Sequence, residues 1–255
     1  MTQTLTELTG LANEVFWQSF VVFLRVGAMV ALLPAFGERT VPTRIKLVVI
    51  LAFVVIVTPA APIAEQGFDA MNRLILTETL AGVLLGLGLR LFVLALQTAG
   101  AIAAQSTSLS QILGGAGVDP QPAMGYILII AGLALAVMTG LHVKAAQLVI
   151  LSYDLLPIGR FPDGSVVSEW GLSQIRQAFI LAFTLSAPFV ILSVLYNLAI
   201  GAINKAMPQL MVAFVGAPVI TAGGLFLLAI SAPLMLQIWI EAMDGFFARP
   251  FEIRP

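Results

Sequence analysis

Residues 206–240 contain no charged side chain. A helix through such a stretch has no face to offer water, and the run is longer than the roughly 20 residues that one bilayer crossing requires. The same texture recurs along the chain. Apolar runs over about 15–33, 47–64, 74–96, 123–141, 178–200 and 210–240 give six candidate spans. Charged residues make up 10% of the chain and hydrophobic ones 60%, with a mean hydropathy of +1.03; soluble proteins carry about 25% charged residues. The expectation is an all-α, polytopic membrane protein. About six long, kinked hydrophobic helices are joined by re-entrant or half-span helices, of which 145–156, apolar but short, is the first candidate.

Charges inside the spans are few. Arg25 falls mid-span in the first run, where an unpaired arginine costs on the order of 3 kcal/mol, so it should face protein or water. Its expected role is structural, paired with a backbone carbonyl or with a carboxylate of a neighbouring chain. Glu78 and Arg90 share the third span but lie too far apart to pair with each other on one helix, and the sequence leaves their partners open. Gly82, Gly86 and Gly88 in that span form a small-residue pattern that admits another backbone closely. Pro188, Pro218, Gly223-Gly224 and Pro233 are expected to bend or break spans five and six.

The loop after Pro34 holds Glu38, Arg39, Arg44 and Lys46, with Pro42 stiffening it. By the positive-inside rule this basic cluster is cytoplasmic and the N-terminus outside, the first run being a retained span. Arg39, Pro42, Arg44 and Lys46 are either a fixed docking surface or topology determinants only. A second turn, Asn204, Lys205, Pro208 and Gln209, links spans five and six. Beyond the first loop the charges disagree. Arg39, Arg44, Lys46 and Lys205 fall on one side, while Arg73, Lys144, Arg160, Arg176, Arg249 and Arg254 fall on the other.

Residues 97–122 break the apolar pattern. Gln97, Gln105, Ser106, Thr107, Ser108, Ser110 and Gln111 make this strip too polar for lipid. Helical spacing puts Gln97, Gly100, Ala104, Thr107 and Gln111 on one face, with Ile102, Leu109 and Leu113 on the other. Gly114, Gly115 and Gly117 then end any helix and Asp119-Pro120 turns the chain. Irregular backbone at membrane depth persists only inside protein or beside a water-filled cavity. Two readings stand: a constriction or gate across a polar passage, or a solvated loop between spans.

Evidence for catalysis is missing. His142 is the single histidine and has no acidic cluster beside it, so no metal site is expected. The run from Gly114 to Gly117 is not followed by Lys and Ser/Thr, which excludes a Walker phosphate loop, and no nucleophile elbow occurs. With no cysteine there is no disulfide or thiolate chemistry. Net charge of −1 gives no electrostatic argument for nucleic acid. No enzyme activity and no cofactor are expected.

Three segments together carry a resemblance. They are RVGAMVALLP from Arg25 to Pro34 with FGERTVPTRIKL from Phe36, LLPIG from Leu155, and YNLAIGAINKAMPQL from Tyr196 with FVGAP from Phe214. As a set they resemble the FliR/SctT family of the type III export apparatus, and most closely its flagellar branch. That resemblance implies one subunit closing a helical pore assembly with FliP and FliQ copies, next to FlhB, in the bacterial inner membrane at the flagellar basal body. Unfolded flagellar subunits would be the cargo and membrane lipid the surroundings. It further implies a single membrane domain in which 1–177 is FliP-like and 178–255 is a FliQ-like hairpin, with a pore plug near 106–122. Ser106, Ser110, Gln111, Ile112, Leu113, Gly114, Gly115, Gly117, Asp119 and Pro120 would form the plug, and the two basic turns the docking loops. With no aromatic or methionine between Ala99 and Ala123, an apolar seal must come from Ile112, Leu113 or another subunit. The competing reading is a secondary transporter with a midplane site at broken helices near Arg25, Glu78 and Arg90.

Overall fold

The computed structural model describes residues 2–62, 68–107, 123–207 and 212–253. These residues form helices α1 (Thr2–Leu32), α2 (Thr43–Val57), α3 (Phe68–Thr107), α4 (Ala123–Met138), α5 (Leu141–Leu155), α6 (Gly164–Ala206) and α7 (Val212–Ala248), with a 3-10 turn at Thr58–Ala60. Among the described residues there is no strand. Among the described residues five helices are long and apolar enough to cross a membrane, or six if the bent pair α4 and α5 counts as one span.

Local chemistry explains the boundaries. Pro34 closes α1, and Pro42, at φ −57°, presets the entry to α2. Gln18 donates from Nε2 to the carbonyls of Thr58 and Ala61, at 3.1 and 2.9 Å. It thereby satisfies acceptors that the end of α2 would otherwise leave open. Between α4 and α5 the chain bends by 71° at Gly140, whose φ of +83° favours glycine. The short apolar helix expected near 145–156 is therefore the second arm of a sharply bent helix pair. Leu156 leaves the helical region because Pro157 follows it. Asp163 starts α6: its Oδ1 accepts the Ser165 hydroxyl at 2.6 Å and the Ser165 amide at 2.8 Å. Those bonds, the hydroxyl's first, hold the Asp163 carboxyl below its ordinary range.

Several boundaries differ from the sequence expectation. α3 runs on through Gln97 to Thr107, so the first part of the polar strip continues a membrane helix. α6 begins at Gly164 rather than near 178, because Trp170, Ser173 and Gln174 give the polar lead-in a buried face. Pro188 lies inside α6, and α7 is helical through Pro218, Gly223, Gly224 and Pro233. These residues do not end their helices. In apolar surroundings a helix that stops leaves several polar groups unsatisfied, whereas a proline within it forfeits one bond.

The chain divides into two compact units. The first comprises Met1–Leu91, Val137–Gln174 and Gly245–Pro255, and the second Phe92–Ala136 and Ile175–Asp244. In the first, α1 and α3 touch through glycine: a Cβ on Gly82 would meet the Arg25 carbonyl oxygen, and one on Gly86 would lie 2.8 Å from Leu32 Cβ and 2.9 Å from the Met29 oxygen. Gly88 accommodates Phe246, whose Cζ would lie 2.8 Å from an added Cβ. Trp170 completes that corner by donating from Nε1 to the Pro250 carbonyl at 2.8 Å. In the second unit Trp239, fully buried, donates to the Phe92 carbonyl at 2.8 Å.

Gly82 and Gly86 are thus closed to larger residues by backbone, which cannot swing aside. Gly82→Val is expected to lower stability by about 3 kcal/mol or more. Thermal unfolding of the detergent-solubilised protein reads this, and an unchanged midpoint would show that α1 and α3 do not meet there.

Candidate functional site

The first unit has a charged centre. Arg25 on α1 is 1% exposed and Glu78 on α3 is 0% exposed. Arg25 Nε donates to Glu78 Oε2 at 2.8 Å, and Nη2 lies at the same distance from that oxygen. Nη1 donates to Ser152 Oγ on α5 at 2.9 Å, and Nη2 to the Leu156 carbonyl at 2.8 Å. The Tyr153 ring covers the guanidinium, its centroid 4.0 Å from Cζ. Glu78 Oε1 accepts the amide of Gly159 at 3.1 Å. Gly159 has φ +71°, and an added Cβ would stand 3.3 Å from Leu74 Cδ2. The turn of the LLPIG segment is therefore shaped to present one N–H to a buried carboxylate.

This network answers the question left open for Arg25 and Glu78. Arg25 takes both kinds of partner expected of it, a carbonyl and a carboxylate, but within its own chain. Chain separation hid the pairing, since no periodicity connects residue 25 with 78 or 159. The missed participants are Ser152, Tyr153 and Gly159. Their available signal was LLPIG itself, a helix-ending motif with a glycine two residues after proline.

A buried charge that loses its partner costs about 3–5 kcal/mol, while exchanging both partners for apolar residues is often neutral. Glu78→Gln should therefore lower unfolding stability in detergent by about 3 kcal/mol, and Arg25→Met combined with Glu78→Met should recover most of that. A single variant as stable as the parent would remove the ion pair from the account.

A second ion pair fixes the loop after α1. Arg90 on α3 pairs with Glu38, through Nη1 to Oε1 and through Nη2 to Oε2 at 3.4 Å, both side chains being partly exposed. Lys46 donates from Nζ to the Gly37 carbonyl at 2.9 Å. Ala35 has φ +67°, a strained value for a residue with a Cβ. Lys46 is half-buried, whereas Arg39, Pro42 and Arg44 are exposed on this braced loop. Glu38, not singled out as a site residue from the sequence, is what joins the loop to α3. Asn204 and Lys205 are exposed at the end of α6 in the second unit, and Pro208 and Gln209 lie outside the described residues.

In the second unit the helices flanking the central segment meet at close quarters. A Cβ on Gly100 of α3 would strike the Gly125 backbone of α4, and one on Gly224 of α7 would strike the Thr107 side chain. Thr107 is 3% exposed and bonds back to the Ala103 carbonyl at 3.1 Å. The face carrying Gly100 and Thr107 is therefore buried in protein, so its polarity is answered within the helix. Ser106 is half-buried and donates to the Ile102 carbonyl at 2.7 Å. Ser110, Gln111, Ile112, Leu113, Gly114, Gly115, Gly117, Asp119 and Pro120 lie outside the described residues. Among the described residues no group of histidine and carboxylate side chains converges as metal ligands.

The geometry defines a polytopic helical membrane protein in which the two fully buried charges, Arg25 and Glu78, are paired with each other. Comparison with known proteins makes this specific: residues 16–246 match the family described as bacterial export proteins, family 1, and the chain belongs to that family. It is 31% identical to the flagellar biosynthetic protein FliR of Caulobacter vibrioides over 87% of this chain and 90% of that one. FliR of Escherichia coli is 28% identical over 88% of this chain and 85% of its own. FliR of Bacillus subtilis is 26% identical over 88% and 90%. The family resemblance read from the three sequence segments is thereby established, and the chain is a component of bacterial flagellar export.

Proposed function

We propose that the chain is a core subunit of the flagellar type III export gate in the bacterial inner membrane. It assembles with FliP, FliQ and FlhB and forms, with its 106–122 segment, the plug of the pore through which unfolded flagellar subunits leave. Residues 1–177 would take the FliP-like place and 178–255 the FliQ-like one, the two joined inside α6. The family relationship supports the export role, which is not an enzymatic one.

One observation favours an assembly over a free-standing transporter. α6 has 43 residues, roughly 64 Å at 1.5 Å per residue, about twice the hydrocarbon thickness of a bilayer. Large apolar side chains are exposed along that whole length, from Val166 and Leu172 through Phe183 and Ile191 to Leu198 and Ile203. Lipid covers at most half of such a helix, and protein partners suit the rest. A midplane substrate site, for its part, loses its principal candidates, because Arg25 and Glu78 spend their polar atoms on each other and on neighbouring backbone.

The close contacts of Gly100 with Gly125 and of Thr107 with Gly224 give the helices on either side of the segment fixed neighbours, as a plug would need. Only a few kcal/mol separates the states of a usable gate, so the segment should be held by short-range packing alone. Deleting residues 110–117 is expected to leave assembly intact while the membrane leaks small ions. Wild-type tightness in a permeability assay, with assembly preserved, would contradict the plug.

Charge on the braced first loop gives a second test. Arg39→Glu with Arg44→Glu is expected to reduce co-purification with FliP and FliQ several-fold, since reversed rim charges weaken association. Undiminished recovery would assign those arginines to topology only.

A further inference from the structure

The first unit contains an open cleft with no place in the export reading. Its volume is about 860 Å³, and its wall includes Ala60, Arg73, Tyr153, Asp154, Pro157 and Arg160. That size lies within the roughly 300–1,000 Å³ typical of small-molecule sites. Arg73, Asp154 and Arg160 are exposed, and Arg73 Nε sits 3.8 Å from the position a Cβ on Gly159 would occupy. Tyr153 is 5% exposed, and its hydroxyl has no hydrogen-bond partner.

We propose that this cleft binds the headgroup of a phospholipid carrying both a phosphate and a primary ammonium. Guanidinium forks match phosphate oxygens geometrically, and Arg160 supplies one, with Arg73 on the same wall. Asp154 on the same wall is a poor neighbour for a bare phosphate but a suitable one for an ammonium. Among the described residues, guanidinium and carboxylate on one wall mirror a zwitterionic headgroup better than a simple anion.

Position selects lipid over a soluble phosphate ester. The cleft lies where three apolar segments end: the span Thr43–Ala60 finishes at Ala60, Met71–Thr107 begins two residues before Arg73, and Leu141–Leu155 closes just after Asp154. Span ends mark the lipid–water boundary, the depth at which headgroups reside and at which basic pockets hold them. The ion pair beneath, Arg25 with Glu78, fixes the turn that carries Arg160, because Glu78 holds the Gly159 amide.

The test reconstitutes the full-length chain into nanodiscs holding equal phosphatidylethanolamine and phosphatidylcholine. After transfer to detergent, the retained lipid is weighed by native mass spectrometry. The two lipids share the phosphate, but the choline nitrogen has no N–H to give Asp154. The wild-type chain should retain phosphatidylethanolamine about tenfold better. Arg160→Gln should lose that bound lipid, and Asp154→Asn should keep a phospholipid while no longer distinguishing the two. Equal retention of both lipids by the wild type, or an Arg160→Gln protein that retains lipid as the wild type does, overturns the proposal. So does displacement of the lipid by free phosphoethanolamine at equimolar amounts, which would make the site one for a soluble ester.

Discussion

An arginine in the middle of an apolar helix has to be answered, and in this chain the answer organises the first unit. The guanidinium of Arg25 is met by Glu78, Ser152, the Leu156 carbonyl and the Tyr153 ring. Glu78 and the 152–156 stretch come from distant places along the sequence, so α1, α3 and the end of α5 are brought to one point. Apolar contacts alone would allow these helices to slide or rotate, because one greasy face resembles another and lipid competes equally well for it. A charge pair tolerates no such freedom. Moving α1 or α3 away from the other leaves an uncompensated buried charge, at a cost of about 3–5 kcal/mol.

Glycine then permits the approach that the ion pair demands. Gly82, one turn beyond Glu78 on α3, lies against the carbonyl of Arg25 itself, and Gly86 lies against Met29 and Leu32 a turn further along. Charge specifies the register and the missing Cβ atoms allow backbones to close on it. The second unit uses the same device without the charges, at Gly100 with Gly125 and at Gly224 with Thr107. Each of these contacts joins a helix bordering the central segment to another helix.

Much of this was legible in the residues. Hydropathy alone gave the membrane class and most spans, because lipid imposes a requirement that no local preference overrides. The closeness implied by Gly82 and Gly86 was legible too, as was the need of Arg25 for polar company. What the sequence concealed was identity of partner. Glu78 and Glu38 are both carboxylates, and nothing local says that the first belongs to Arg25 and the second to Arg90. Helix ends were misjudged for a related reason. The polar lead-in before residue 178 reads as a water-exposed connection until Trp170, Ser173 and Gln174 are seen to be buried. Prolines at 188, 218 and 233, expected to bend or break their helices, do not end them, since a helix in apolar surroundings loses more by ending than by accommodating them. The polar strip, read as facing either a passage or solvent, is packed within protein at Gly100 and Thr107, and the residues expected to form a plug beyond Ser106 lie outside the described residues.

The turn at Gly159 is the place where the central interaction is most open to measurement. Its amide donates to Glu78 from a surface turn, where a backbone N–H would ordinarily exchange with solvent within moments. Residue-resolved amide hydrogen exchange of the protein in nanodiscs reports on that bond directly. Protection of Gly159 comparable to that of the flanking α5 helix is the result the buried ion pair requires. Exchange as fast as that of an open loop would mean that Glu78 does not reach the turn, and the organisation built on Arg25 would fail with it.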